Sequence, residues 1–463
     1  MMILRITLLL AVLSSVAAAD QVRVEDIKLQ GSGDDQRVHF TLSWKNAFRD
    51  KRGHDAIWLV LKAAGKGETS PILIATEGHV LDGPVGGEVV STEDGLGAFI
   101  QSGVMHRGDV QWSVSLALRE ALEQVPEVWA TEMVFIPKGP FELGDDHPEA
   151  RALGSFIQAD GSGGAAGLFR VTRESAIEIG PKSGQLHYQS GPKPEYRGDG
   201  AGPLPSEYPK GVNAFYVMKY ELRQGEYARF LNALPEEVRA ARRPDRMPDE
   251  TEERGSGSIS LVAGRFVASA PRRPCNFVTW DDTCAYFDFL CLRPLSEFEF
   301  EKAARGPVRP VPLDFPWGTA QVDMLQRKVT ADRDLAFSSA EDQASLVEAT
   351  RALHGASYYG VMDLSGSLWE RVVSAGTPAG RAFLGTHGDG LLNTSGDATN
   401  EDWPRGTKHA PGIGFRGGAE YFGDPSLTNP HSPVGLRTFA AYDGAHRYKT
   451  YSARVCRTAP IPR

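Results

Sequence analysis

Arg293-Pro-Leu-Ser-Glu-Phe-Glu-Phe-Glu-Lys-Ala-Ala-Arg-Gly306 is the stretch on which the reading of this chain turns. Ser296 and Glu299 form a capping box, each side chain satisfying a backbone donor at a helix start. Gly306 ends that helix, since glycine readily takes the left-handed conformation that closes one. Three further phrases follow in order: Phe315-Pro-Trp-Gly318, Tyr359-Gly-Val-Met-Asp-Leu-Ser-Gly-Ser-Leu-Trp-Glu370 and Phe415-Arg-Gly-Gly418. Upstream, Glu132-Met-Val-Phe-Ile-Pro-Lys-Gly-Pro-Phe-Glu-Leu-Gly144 reads as an opening strand. Phe215-Tyr-Val-Met-Lys-Tyr-Glu221 leads into a segment whose Tyr227, Phe230, Leu231 and Leu234 fall at helical spacing and should face the core. Cys275-Asn-Phe-Val-Thr-Trp-Asp-Asp282 predicts another helix starting near Asp281.

Between these phrases lie two long inserts, at about 145–211 and 236–273. The first is rich in Gly, Pro and Ser, and a structureless loop of that length is rare in a compact domain. It should therefore carry strands of its own, with Ala176-Ile-Glu-Ile179 as one candidate, or cover a surface. Gly161-Ser-Gly-Gly-Ala-Ala-Gly167 imitates a dinucleotide loop, but no strand precedes it and no helix follows, so it reads as a plain loop. Ahead of residue 125 the pattern changes. Val22–Leu29, His39–Trp44 and Asp109–Leu118 alternate apolar and polar residues, and Ala56–Leu61 and Pro71–Ala75 are short apolar runs. Such spacing predicts a small all-β sandwich over residues 20–125, with Trp44, Trp58 and Trp112 in its core.

The 463 residues exceed one ordinary core, and a formal charge of −9 leaves no basic footprint for nucleic acid. Residues 1–19 read as a signal peptide: Arg5, an apolar run from Ile6 to Val16, and Ala17-Ala18-Ala19 before Asp20. That run is shorter than the ~20 residues a spanning helix needs. The expectation is an exported protein, periplasmic or extracellular, without a membrane span. In an oxidising compartment Cys275, Cys284, Cys291 and Cys456 could form two disulfides in any of three pairings, or remain buried thiols. If 280–290 is helical, Cys284 and Cys291 lie about 10 Å apart along its axis, beyond disulfide reach.

Together the phrases resemble the formylglycine-generating enzyme, or sulfatase-modifying factor, family. That family reads roughly R-L-P-T-E-A-E-W-E-x-A-A-R-G, then P-W-G, then G-L-x-D-M-x-G-N-V-W-E-W, then R-G-G-S-W. The resemblance covers about residues 130–460. It implies an α+β fold, a C-type lectin variant with much irregular structure, preceded here by the β sandwich. It also implies a structural calcium ion at the segment from Asp363 to Glu370. Asp363 and Glu370 would supply side-chain oxygens, and Gly366 and Leu368 carbonyls. A second calcium site is not traceable, and Asp332 and Asp334 are only guesses for it.

In the family's oxidases two cysteines follow R-G-G-S-W, bind copper(I) and convert a substrate cysteine to formylglycine. Here Arg416-Gly-Gly-Ala-Glu-Tyr-Phe-Gly423 is followed by no cysteine before Cys456. Cys456 is thus the one weak catalytic candidate. It lies in Ser452-Ala-Arg-Val-Cys-Arg457, which looks like the family's closing G-F-R-x-x-R strand, where core packing is the expected role. The eleven histidines form no His-Glu-x-x-His helix, and no Gly-x-Ser-x-Gly elbow is present. The polar stretch 385–402 carries Asp389, Asp397 and Asp402, which could converge on a second ion, though its Gly, Asn and Ser content reads as a solvated loop. Two functions follow. One is a binding or assembly module for an exported protein or a glycan, and the other is a copper-dependent formylglycine-generating oxidase or related oxidoreductase. The missing cysteine pair favours the first.

Overall fold

The computed structural model describes residues 22–63, 70–244, 257–322, 351–419 and 431–461. The expected leader, Asp332 and Asp334 lie outside these residues. The fold is mixed, with more strand than helix, as the α+β reading requires.

The alternating N-terminal segments are strands: Val22–Gln30, Arg37–Arg49 and His106–Ala117 join Val80–Asp82 in a four-stranded antiparallel sheet. The apolar run becomes the strand Asp55–Lys62, buried along its whole length because both of its faces are covered. It belongs to a second, larger sheet. Across that sheet the order is Arg293–Pro294, Val455–Thr458, Phe215–Met218, Glu127–Ile136, Asp55–Lys62, Ala98–Ser102 and Gly87–Ser91, with Pro71–Ile72 also pairing with Asp55–Lys62. All its pairings are antiparallel. One core fills the space between the two sheets, with Trp44, Trp112, Ile57, Leu59 and Leu61 at most 1% exposed. Trp58 points to the opposite face of the second sheet, into a larger core with Trp280, Phe287 and Phe298. Strands on both sides of residue 125 therefore share one sheet.

The helix at 297 begins where its capping box predicts. Ser296 and Glu299 make the reciprocal bonds that open Glu297–Arg305, and Gly306 closes it at φ 68°. Thr279 and Asp282 cap Trp280–Phe289 in the same way. Tyr227, Phe230 and Leu231 of the helix Gln224–Ala233 are fully buried. In the first insert, the glycine-rich loop is the turn between the strands Ile157–Ala159 and Ala165–Gly167. Ile177 and Ile179 make single bridges, to Leu204 and Leu186, rather than a strand. A third sheet places Trp369–Val373 between Ile413–Arg416 (antiparallel) and Tyr451–Ala453 (parallel), so two of the quoted phrases lie side by side.

Buried polar bonds tie the N-terminal strands to the rest. Lys219 reaches Asp55 at 2.8 Å and Glu132 at 3.5 Å, and the Trp44 indole donates to Glu132 at 2.8 Å. Burial works against the Lys219 ammonium, but Asp55 holds its pKa above the usual lysine range. Trp58 donates to the Leu290 carbonyl at 2.8 Å. Replacing Lys219 leaves Asp55 in the core without its cation and Glu132 with only the more distant Arg223, and breaking a buried pair costs about 3–5 kcal/mol. Lys219→Met is therefore expected to lose that much stability in urea unfolding, while a matched surface variant, Lys45→Met, loses almost none.

Candidate functional site

The phrase 359–370 builds a tight wrap, in which Asp363, Gly366 and Ser367 all take positive φ, at 62°, 80° and 68°. Gly366 donates its N–H to Gly417 at 2.9 Å, locking the wrap against the Arg-Gly-Gly turn. Asp363 and Leu368 are buried within it. Glu370 gives both oxygens to the Arg454 guanidinium, at 2.8 and 2.9 Å. The remaining Arg454 donors reach the Met218 and Met362 carbonyls, each at 2.7 Å. A second carboxylate, Glu221, accepts from the Ser367 hydroxyl at 2.7 Å and the Leu368 N–H at 3.2 Å. Burial, and then the neighbouring Glu370, push the Glu221 pKa upward, while Arg454 pulls it back.

This arrangement bears on calcium. Among the described residues no group of three or more His, Cys, Asp or Glu is placed to hold a metal ion. Glu370 is fully committed to Arg454, and a cation at its oxygens would have to displace a guanidinium. As folded, the Glu370 oxygens are held by Arg454, and nothing below is routed through a calcium ion.

Next to the wrap is an extended buried charge network. Arg416 bonds Glu297 at 2.8 Å and Glu301 at 2.6 Å, Arg437 chelates Glu297, and Arg305 bonds Glu301 at 3.1 Å and Asp314 at 2.8 Å. Both glutamates are fully buried. Burial alone would raise the Glu297 pKa, but Arg437 and Arg416 pull it below the ordinary glutamate value. Glu297 also accepts from the Ala375 N–H at 3.1 Å.

His431 marks where three phrases meet. Its Nδ1 lies 2.8 Å from the Ser365 carbonyl, which makes Nδ1 the protonated nitrogen. The ring stands edge-on to Trp317 and Phe315 at 5.2 and 6.1 Å. Ser432 bonds Gly417 and Ser365. Sequence reading missed both Glu221 and His431. The Lys-Tyr-Glu phrase signalled the first, whereas nothing local marks the second.

The four cysteines are free and fully buried, so neither disulfide of the sequence reading forms. Cys456 has no exposure; Arg293 donates to its sulfur at 2.9 Å, and the thiol reaches the Pro294 carbonyl at 3.4 Å. Burial raises its pKa well above the ordinary thiol value, despite Arg293. Burial likewise raises Cys275 and Cys284 strongly, and Cys291 to about 11. Nor do the aspartates of 385–402 converge. Asp397 pairs with Arg242, and Asp402 accepts from Leu384 and Thr386. Asp389 accepts from its own neighbour, Leu391. The loop is organised instead by Asp288, which accepts from Asp389, Gly390 and Thr399.

A family model described as the Sulfatase-modifying factor enzyme 1-like domain matches residues 119–419, more than half of the 463. The chain belongs to this family. No curated protein matches it. The matched span starts inside the expected N-terminal unit and ends at the Arg-Gly-Gly turn, so the family's first strand is Glu127–Ile136 of the large sheet. In this member the residue after Trp369-Glu370 is Arg371, where the family phrase has a second tryptophan. Arg371 donates to the Gly444, Val278 and His446 carbonyls at 3.2, 3.1 and 2.7 Å, and lies over Phe415 and Tyr451. Burial lowers its pKa to about 10.

Two outcomes follow from the charge networks. Because the Glu297 pKa lies below its unfolded value, its stabilisation is complete above about pH 4.5 and is lost as pH falls through the folded value. Arg437→Met should therefore move the acid-unfolding midpoint to higher pH, measured by circular dichroism. Glu370→Gln should cost about 3–5 kcal/mol, since it leaves Arg454 buried with half a partner. The wild-type melting midpoint should be the same in chelator and in millimolar calcium. A calcium-dependent rise that disappears in Asp363→Ala would instead support the ion.

Proposed function

We propose that this protein is a family member that does not act as a cysteine-dependent oxidase and works as an exported recognition or assembly module. The observation that carries the reading is the state of its cysteines. A copper(I) site needs thiolates that can meet. No cysteine follows the Arg-Gly-Gly turn before Cys456, and that thiol is buried in a core strand beside the Arg293–Glu299 pair. All four thiols are held protonated by burial, the opposite of the electropositive, partly exposed setting of a reactive cysteine. The sequence supports export through the leader pattern of residues 1–19. Among the described residues, no helix is long and apolar enough to cross a membrane. The C-type lectin relationship implied by the resemblance agrees with a recognition role, because irregular loops carry much of the chain. Fold alone does not fix function.

The test is mass spectrometry of a peptide carrying a sulfatase-type cysteine motif, incubated with copper-loaded, aerated mature protein. No formylglycine should form, and Cys456→Ser should behave like the wild type. Conversion that Cys456→Ser abolishes would reverse the reading and place Cys456 in an oxidase site.

A further inference from the structure

Three charged side chains from neighbouring strands meet on the buried face of the large sheet. Glu132 lies on the middle strand of the three, opposite Ile57 on one side, and Asp55 is two residues from Ile57. On the other side, Lys219 directly follows Phe215–Met218, and its N–H donates to the Glu132 carbonyl at 3.0 Å. Glu132 thus stands between Lys219 and Asp55. The side chains of Lys219, Asp55 and Glu132 are 3%, 0% and 0% exposed, so bulk water does not reach them. The Phe48 ring lies 5.6 Å from the ammonium, and Trp44 bonds Glu132 from the opposing sheet at 2.8 Å.

The groups are arranged for a reaction as well as for an ion pair. Lys219 Nζ touches Asp55 Oδ2 at 2.8 Å, while the Phe48 N–H donates to Oδ1 at 2.7 Å. The carboxyl is therefore pinned at both oxygens. Glu132 Oε1 lies 3.5 Å from the same Nζ. Its Oε2 is buried without a hydrogen bond among the described residues, and the Arg223 guanidinium stays 3.8 Å away. One ammonium thus faces two carboxylates, although one would suffice to pair it. Burial pushes the Asp55 pKa up to about 6 against the pull of Lys219, which brings the neutral acid within reach.

We infer that Lys219 and Asp55 condense into an intramolecular isopeptide bond, with Glu132 as the proton carrier. The ammonium first passes one proton to Oδ2 across their contact, leaving an amine beside a carboxylic acid. Nζ attacks Cγ, the Nζ–Cγ bond forms, and the Phe48 N–H meets the charge that develops on Oδ1. Glu132 takes a second proton from the nitrogen and delivers it to the Oδ2 hydroxyl. The Cγ–Oδ2 bond breaks and water leaves, while the third proton stays on the amide. No oxidant or cofactor enters. Fixed contact supplies the proximity that such a condensation lacks in solution. The product replaces two buried charges with one neutral amide, which removes their desolvation cost. It ties together residues 164 positions apart in a chain whose four cysteines are free. This inference does not depend on the non-oxidase reading above.

The experiment is intact-mass spectrometry of the mature full-length chain under denaturing, reducing conditions, followed by tryptic mapping. The wild-type mass should fall one water below that of its sequence. The map should contain a branched peptide joining Asp55 to Lys219, with no cleavage after Lys219. Glu132→Gln should keep its full mass while its circular dichroism matches the wild type. Lys219→Arg retains a cation beside Asp55 and should also keep its full mass. A wild-type chain at full mass, or a water lost elsewhere than at these two residues, would overturn the proposal whatever the variants do. Loss of the water in folded Glu132→Gln would overturn the role given to Glu132.

Discussion

Glu297 is the point through which the family region is joined. It is the first residue of a helix, is fully buried, and is met by arginines from two other segments, Arg416 and Arg437, as well as by the Ala375 N–H. A carboxylate with no solvent contact is tolerable only when charge and hydrogen bonds replace the water it has lost. Meeting that condition fixes where the Arg-Gly-Gly strand, the loop before Phe439 and the strand Trp369–Val373 can lie. Removing any one partner leaves the others buried without compensation, so these elements hold their positions together. Arg454 does the same for Glu370 a short distance away, and Lys219 for Asp55 and Glu132 at the junction with the N-terminal strands.

The carboxylates and thiols that sequence reading singled out as ligands or nucleophiles are, in the folded chain, neutralised or shielded. Glu370 faces a guanidinium, Cys456 sits in a strand of the large sheet, and Asp389, Asp397 and Asp402 hold a loop in shape. At the start of the central strand of the third sheet, Trp369 of the family phrase meets Phe439 of the loop after Arg437, which in turn meets Tyr196 of the first insert. The insert helps to build a contact that the family phrases alone would not make.

Much of the fold was legible in advance because its signals are local. A capping box needs two residues three apart and a strand needs alternation; the helix at 297 begins at its box, and those at 224 and 280 fall where helical spacing and the Cys275–Asp282 phrase put them. The opening, Trp-Glu and Arg-Gly-Gly phrases all became strands, in the order read from the sequence. The short strands at 80–82, 87–91 and 98–102 were not expected, since their identity comes from pairing with distant partners rather than from their own pattern. For the same reason the unit ahead of residue 125 could be read as a sandwich, but not as sharing its second sheet with the family region.

By itself, then, the sequence determined the family, the α+β class, the burial of the three N-terminal tryptophans and the absence of a cysteine pair after Arg-Gly-Gly. Each of these depends on residue identity or spacing within one segment. Only the tertiary structure decided that Glu370 would bind Arg454, that Glu221 and His431 would join the wrap at 363–370, and that Lys219 would meet Asp55. Those outcomes depend on which groups meet across 66, 84, 146 and 164 residues of chain. A carboxylate reads the same in sequence whether its partner is an ion, a guanidinium or water, and burial next to a particular neighbour makes the choice.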